Sequence, residues 1–540
     1  MKRATQIVLI LLVVGPSAFA AKTAKLTVNE GKRQVYQGFG FGLINTERYT
    51  NLSRDQQKEI SKYTVEMTNA NLLRIWHEEN LVQNYINTNL LPDALDAGID
   101  TIILAPGGNP QKIADEILKV NQSGYTVHYT SLINEPDHTK GWPTTYYIAK
   151  FRELWEEIKA RGLETGLLCC DDANVDDWAK QRIDAILKDP TLRPALAAFS
   201  THSYSMAAER DYARRVFKEG LNWWQTEHSI DGQPATPERF DLAAQTTNVF
   251  LNDLNQGVTH WMYFQGYGLS MRRLPETHNN VFLTYYDSRS FGKPVGSGWF
   301  VDAPQLHYIR QINQAFPYGT TMRWTTAKGL PSYDMVWTYG TRSPINAAVG
   351  QRPDGGWAVC ISNAEVAPPG GGHYYDDYII DLDIVELHGT GAVPFKLFRS
   401  GPTTGFIAEQ GEIVVTDGKV TIEVKKDELV SFYTTSAPTV VKSESKPPKR
   451  FTLHPNYPNP FNASTTIRYD LPQESYVRIE IVDAAGRIVN TLVSSVQSAG
   501  QKQINWDGND RWNTPMPSGV YFVRFEFDKG VQVGKLMMIR

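Results

Sequence analysis

Cysteine is scarce in this chain: Cys169, Cys170 and Cys360 are the only three in 540 residues. Two of them are adjacent, so there is no disulfide framework and the fold must be held by its own hydrophobic cores. A bridge from the adjacent pair to Cys360 would join stretches that read as different domains, and none is expected. No Cys or His grouping has metal-ligand spacing, and no Gly-rich phosphate loop follows a strand-like run, so no metal or other cofactor is expected. Positive charge is not in excess. The 54 Lys and Arg against 58 Asp and Glu give a net charge of −4, which leaves no basic field for nucleic acid or anionic lipid. Long apolar runs are missing too: no stretch approaches the ~20 residues a transmembrane helix needs.

What the chain does have is a leader pattern, many rings and a regular alternation of strand-like and helix-like segments. Lys2 and Arg3, the apolar run of residues 7–14 and the small-x-small Ala18-Phe19-Ala20 read as a signal peptide over residues 1–20. Aromatics make up 11% of the residues, with 13 Trp and 26 Tyr. Most such rings fill cores, but flat aromatic faces also line sugar-binding clefts. Short β-branched or apolar runs at 37–43, 72–76, 101–104, 129–134, 166–170, 197–200, 222–226 and 258–263 alternate with amphipathic segments. Eight repeats of that alternation predict a parallel (β/α)8 TIM barrel, with a doubly wound open sheet as the weaker competitor. Ser53 followed by Gln56 marks the start of one of its helices.

The texture changes near Tyr318. Short alternating runs such as Gly356-Trp357-Ala358-Val359-Cys360-Ile361, split by Gly, Pro and Asp turns, predict a β-sandwich over 318–435, to which residues 25–28 can add a strand. Residues 436–450 are a Pro- and Lys-rich linker, and 451–540 read as another small β-domain. The expected order is therefore signal peptide (1–20), (β/α)8 barrel (21–317, with 21–35 able to join the sandwich), accessory sandwich (318–435), linker (436–450) and C-terminal β-domain (451–540).

Two carboxylate-bearing segments stand at strand ends: Ile133-Asn134-Glu135-Pro136 and Trp224-Gln225-Thr226-Glu227-His228. Cleaving a glycosidic bond takes two such groups, one to protonate the leaving oxygen and one to attack the anomeric carbon or activate water. Each segment alone is weak, since Asn-Glu-Pro can be only a turn and a Glu at a helix start only a dipole cap. At the ends of the fourth and seventh strands of one barrel they reinforce each other. Pro136 would fix the turn and Asn134 could donate to a sugar hydroxyl. Trp261, Tyr263 and Phe264 end the eighth strand, where an aromatic ring could floor the subsite, and Trp142 in the loop after the fourth strand could line the cleft. Trp76-His77-Glu78-Glu79 and Asp171-Asp172 bring rival carboxylates whose simpler reading is solvation or sugar contact.

Gly38-Phe39-Gly40 on the first strand, Arg74 on the second, Asn134-Glu135-Pro136 on the fourth, His202 with Tyr204 after the sixth and Glu227 on the seventh together resemble a clan A glycoside hydrolase. Within that clan the chain most resembles glycoside hydrolase family 30, over about residues 37–435. The resemblance implies Glu135 as acid/base and Glu227 as nucleophile in a retaining double displacement, with carboxyl groups ~5–5.5 Å apart. It also implies that Glu135 sits where its pKa is raised and that a cation stands beside Glu227. Arg74, flanked by Leu72, Leu73 and Ile75, is the candidate cation. Tyr204 could donate to Glu227, and His202 could brace the site. Family members usually carry an aromatic, Pro-rich segment after the third strand. Here Leu104-Ala105-Pro106-Gly107-Gly108-Asn109-Pro110 takes that place, so substrate identity does not carry over from any subgroup.

The tail has its own resemblance. Tyr457-Pro458-Asn459-Pro460-Phe461-Asn462, Ala485-Gly486-Arg487, Ser518-Gly519-Val520-Tyr521 and Lys535-Leu536-Met537-Met538 look like a type A sorting domain of the type IX secretion system. That implies an immunoglobulin-like domain and export through the periplasm of a Gram-negative bacterium, ending in the medium or on the cell surface. A generic carbohydrate-binding or spacer sandwich is the alternative for the tail. For the whole chain the expectation is a secreted retaining glycosidase acting on β-linked glycans of the xylan or β-glucan type. A polysaccharide or oligosaccharide and the secretion machinery are its expected partners. The alternatives are another clan A family with the same glutamates, or a non-catalytic surface glycan-binding protein on a barrel scaffold.

Overall fold

In a closed barrel, successive strand residues alternate between the interior and the surrounding helix layer. The computed structural model shows that alternation along eight parallel strands. It describes residues 21–43, 49, 52–77, 79–137, 141–202, 204, 210–229, 239–268, 281–285, 300–330, 342–364, 376–438, 450–462, 464–510, 514–527 and 530–539. The leader at 1–20, Glu78 and linker residues 439–449 lie outside them. After β1 (Lys22–Val28) come β2 (Gly38–Leu43), β3 (Leu72–Trp76), β4 (Thr101–Ala105), β5 (Tyr129–Thr130), β6 (Gly166–Asp172), β7 (Leu196–Thr201), β8 (Asn222–His228) and β9 (His260–Tyr263). Strands β2 to β9 close into one barrel, each hydrogen-bonded to the next and β9 back to β2. The fourth barrel strand is shorter than its sequence pattern suggests. Beyond Thr130 the chain leaves the ladder, and Ile133 forms an isolated bridge with Gly107.

Two apolar layers result. Leu72, Ile103, Leu168, Ala198, Trp224 and Met262 meet inside the barrel, while Leu73, Ile75, Ile102, Leu104, Phe199, Trp223, Trp261 and Tyr263 pack under the helices. The first helix, Arg54–Thr68, opens with the capping box its sequence shows: Ser53 Oγ accepts from the Gln56 amide and the Gln56 side chain accepts from the Ser53 amide. On β2 the residues that share the interior parity are glycines. A Cβ on Gly42 would stand 2.3 Å from the Phe264 carbonyl oxygen, so only glycine lets the ends of β2 and β9 approach this closely.

A ten-stranded sheet assembly follows the barrel in the same compact unit. Strand β1 belongs to it, parallel to Tyr378–Ile384 and antiparallel to Thr325–Lys328, so the first described strand of the chain completes the accessory sandwich. Its core joins Leu26 and Val28 to Ile345, Val359, Ile380, Phe395, Val430 and Phe432. Helix Pro304–Ala315 ties the sandwich to the barrel: Gln311 Nε2 donates to the carbonyls of Phe398 and Leu429, and Tyr308 Oη donates to that of Asp427. No bond joins the adjacent cysteines to Cys360, but the pair itself holds a bond that the sequence reading did not foresee. Cys169 and Cys170 are bonded to each other across a cis peptide, and Cys360 is buried and free in strand Trp357–Asn363.

The chain from Val441 onward forms a second unit. Its three-stranded and four-stranded antiparallel sheets enclose Ile467, Tyr469, Val477, Ile479, Trp506, Val523, Phe525 and Leu536. The alternating strand Thr465–Leu471, with its odd positions buried, shows the half-buried pattern of a sandwich strand. Among the described residues, no helix of the chain is long and apolar enough to cross a membrane.

Candidate active site

Strand parity aims the first functional side chain. Leu72 lies in the interior cluster, so Arg74, two residues on, also points inward, and its guanidinium is buried. One terminal nitrogen donates to Glu227 Oε2. The other donates to Asn134 Oδ1 at 2.6 Å and meets Asp171 Oδ2 at 3.4 Å. Three strand ends thus converge on one cation.

Glu227 reaches this point because β8 is irregular. Its pairing with β9 shifts register between Gln225 and His228. Trp224 and Thr226 face the interior by alternation, and the irregularity lets Glu227 face it too. Gln225, on the helix side, holds the distortion: its amide nitrogen donates to the carbonyls of His202 and Glu227 at 2.9 and 2.6 Å, and its oxygen accepts from the Met262 amide at 3.1 Å. Glu227 is buried and takes a second donor, Tyr204 Oη at 3.0 Å. Burial and then the Glu227 charge push the Tyr204 phenol well up, so it stays a donor.

Glu135 arrives by a different route. The chain past β5 is off the ladder, and Glu135 sits in the left-handed region at φ 50°. Its amide donates to the Asp171 carbonyl at 2.9 Å, and its Oε1 meets His202 Nδ1 at 3.0 Å. His202 is fully buried. Burial pulls its pKa down, but the charges of Glu227 and Glu135 outweigh that, and the net direction is up. One carboxylate oxygen from each glutamate and a His202 ring nitrogen lie within 4.8 Å of one another. These are the described atoms that come nearest to a cation site, but the Arg74 guanidinium on Glu227 already supplies positive charge there and would repel a metal ion.

Of the residues expected at the site, Arg74, Asn134, Glu135, His202, Tyr204 and Glu227 are brought together. Trp142 stands beside them, half-buried, its ring against Gly108 and Tyr146 and its carbonyl accepting from Arg182 at 2.7 Å. Trp261 does not join them. Its ring is fully buried on the helix side of β9, stacked on Phe250 at 4.5 Å, and its Nε1 donates to Asp253 Oδ2 at 3.0 Å. The indole is core, because parity turns residue 261 outward. The aromatic wall near Arg74 comes instead from Trp76, 4.7 Å above the guanidinium, with Phe264 edge-on to it at 6.1 Å. Counting by twos from Arg74 would have found Trp76.

The rival carboxylates separate. Asp172 pairs with Arg182, both fully buried, behind the site. Asp171 turns instead to the inward-facing Arg74 guanidinium. Glu78 and the Glu79 side chain lie outside the described residues. The departure after the third strand has a local reason: a Cβ on Gly107 would stand 2.0 Å from His77 Nε2, so the glycine leaves room for the His77 ring.

Similarity to known proteins agrees with this architecture. The sequence profile of the FlgD Ig-like domain matches residues 461–530. No curated protein matches the chain in sequence. Among solved structures, the chain is similar to the glycoside hydrolase family 30 subfamily 8 xylanase Xyn30A from Clostridium acetobutylicum, with TM-score 0.54 and 12% identity, covering 76% of this chain and 99% of that one. It is also similar to a conserved exported protein from Bacteroides fragilis, with TM-score 0.53 and 12% identity over 76% of this chain and 100% of that one. SrfJ from Salmonella typhimurium gives TM-score 0.53 and 9% identity over 77% and 93%. At these identities the likeness establishes the fold: a barrel with its sandwich, in the architecture of glycoside hydrolases.

Proposed function

We propose that this protein is a retaining glycoside hydrolase that cleaves β-linked glycans of the xylan or β-glucan type, with Glu227 as nucleophile and Glu135 as acid/base. One observation carries the reading. Two carboxyl groups from distant strands meet at one barrel mouth with oxygens within 4.8 Å, and each has a different set of partners. Retaining enzymes hold their carboxyl groups ~5–5.5 Å apart, whereas inverting enzymes need ~6.5–9.5 Å to admit a water. The close spacing favours direct attack.

In the first step Glu227 attacks the anomeric carbon and Glu135 gives its proton to the leaving oxygen. In the second, Glu135 takes a proton from water, the hydroxyl adds to the anomeric carbon and the Glu227 ester bond breaks. Negative charge therefore moves from Glu227 to Glu135 and back. The donors match that traffic: Arg74 and Tyr204 face the carboxylate that is anionic at rest, and His202 faces the one that becomes anionic in the intermediate. Trp76 and Phe264 offer ring faces for a pyranose beside the reacting bond. The similar family 30 structure is that of a xylanase, which adds weight to xylan as the first substrate to try.

Hydrolysis of a panel of xylans, β-glucans and aryl β-glycosides tests the reading. Glu227→Gln is expected to lose about 10⁴-fold or more in kcat, and Glu135→Gln about 10²- to 10⁴-fold, less on substrates whose leaving group needs no protonation. Unchanged turnover in either variant removes that residue from the mechanism. Binding without turnover by the wild type favours a glycan-binding protein instead.

The proposal extends to location. The leader pattern and the C-terminal motifs support export through the periplasm, with the C-terminal unit as the address read by type IX secretion machinery. Removing residues 451–540 is then expected to leave the protein in the periplasm, and its undiminished arrival in the medium or on the surface rejects that role.

A further inference from the structure

Asp171 is a buried carboxylate that the proposed reaction does not use. It stands at an irregularity of β6, between the register positions of Cys170 and Asp172, with φ 53°. Four elements meet on it. Its Oδ2 faces the Arg74 guanidinium of β3 at 3.4 Å and accepts from Ser131 Oγ of the chain past β5. Its Oδ1 accepts from Thr226 Oγ1 of β8 at 2.7 Å. Its carbonyl accepts the Glu135 amide, and its own amide donates to Ser200 Oγ of β7 at 3.2 Å.

We propose that Asp171 is a positioning residue for both glutamates, an inference that rests on the glycosidase reading for its catalytic meaning. Its side chain fixes the Arg74 fork so that one nitrogen meets Glu227 and the other meets Asn134. Its backbone fixes the turn that presents Glu135. A single residue at the end of β6 therefore sets the distance between the two carboxyl groups, although it touches neither carboxyl itself.

The charge of Asp171 acts alongside its hydrogen bonds. Burial pushes its pKa up, but Arg74, His202, Ser131 and Thr226 together bring it below the ordinary carboxylate range. An anion thus stays under the site. The groups that face His202 are Glu135 from the β5 loop, Glu227 and His228 from β8, Arg74 from β3, Asp171 and the Asp172 carbonyl from β6, and Tyr204 beside it. Removing the Asp171 anion should make the protonated imidazole less favourable, whereas a packing role alone would not.

Asp171→Asn tests this. Asparagine tolerates a positive φ better than most residues and can still accept from Thr226. Expected are a fall in kcat of about 10- to 100-fold with KM little changed, a pH–rate profile displaced toward acid, and a His202 titration displaced to lower pH. The last is read by NMR of histidine-labelled protein, with His202→Gln assigning the resonance. Because that reading needs no turnover, it separates the two ideas. If the wild type hydrolyses nothing but the His202 titration still moves, the glycosidase reading fails while the electrostatic tie stands. If folded Asp171→Asn shows unmoved limbs and an unmoved titration, the proposal is overturned. Asp171→Gly, also suited to φ 53°, replaces the first variant should it not fold. Failure of both to fold assigns Asp171 to stability alone and likewise overturns the proposal.

Discussion

The lower and upper storeys of the barrel interior are built from the same strands and do opposite things. Below, Leu72, Ile103, Leu168, Ala198, Trp224 and Met262 close the bore with apolar side chains. Above, on the same strands or the loops that leave them, Arg74, Asn134, Glu135, Asp171, His202, Tyr204 and Glu227 fill it with charges and hydrogen bonds. The lower storey is regular and needs only alternation. The upper storey departs from alternation at β6 and β8, and the chain leaves the ladder after β5. Strain and irregularity gather where the charged side chains converge, while the apolar plug beneath holds the strands so that those departures persist.

The largest expected effect breaks the upper storey. Arg74→Met leaves Glu227 and Asp171 buried without their shared cation, and loss of one partner from a buried pair costs about 3–5 kcal/mol. Activity should fall with it. A variant that unfolds in denaturant like the wild type would mean that the two carboxylates do not depend on Arg74. Next, Ile103→Ala opens the lower storey, on a strand that supplies no charged group. It should lose about 2–5 kcal/mol of unfolding free energy while kcat of the folded fraction stays within about twofold. A large drop in kcat without loss of stability would erase the distinction between the storeys.

The effect that vanishes at neutral pH is a pH dependence. His260 lies in the lower storey, stacked on Trp224 at 4.0 Å, and burial pulls its pKa down to about 3. The unfolded chain binds a proton there near pH 6.5, so the folded state binds fewer protons below that value. Stability from this residue is complete above about pH 6.5 and falls as the pH drops toward 3, by up to ~1.4 kcal/mol per pH unit. His228, buried in the upper storey with its pKa also driven down by burial, acts in the same direction. His260→Phe should therefore make the acid side of the stability curve shallower without flattening it. An unchanged slope on denaturant titration at several pH values would show that His260 is already charged in the folded protein.

How far the sequence could be read follows the same division. The eight strands and the two carboxylate segments were legible because alternation and strand-end Glu are local signals. The Ser53–Gln56 cap was legible for the same reason. The placing of Trp261 at the floor of the subsite went astray because the ring that faces the bore depends on strand parity, and parity needs an anchor such as Leu72 inside the barrel. Asp171 read as one of two rival acids because nothing adjacent in sequence separates it from Asp172. In the fold they part completely, one toward Arg74 and the other toward Arg182.

Local sequence pattern is enough to set the alternating strands and helices, the residue types at their ends and the switch to sandwich texture after the barrel. These depend on periodicity and turn chemistry within a few residues. The tertiary structure alone decided which acids face each other and which ring stands by Arg74. It alone placed β1 beside Tyr378–Ile384 and joined Cys169 to Cys170. Those outcomes depend on barrel closure and on register shifts in β6 and β8, through which residues far apart in the chain come within a hydrogen bond of each other.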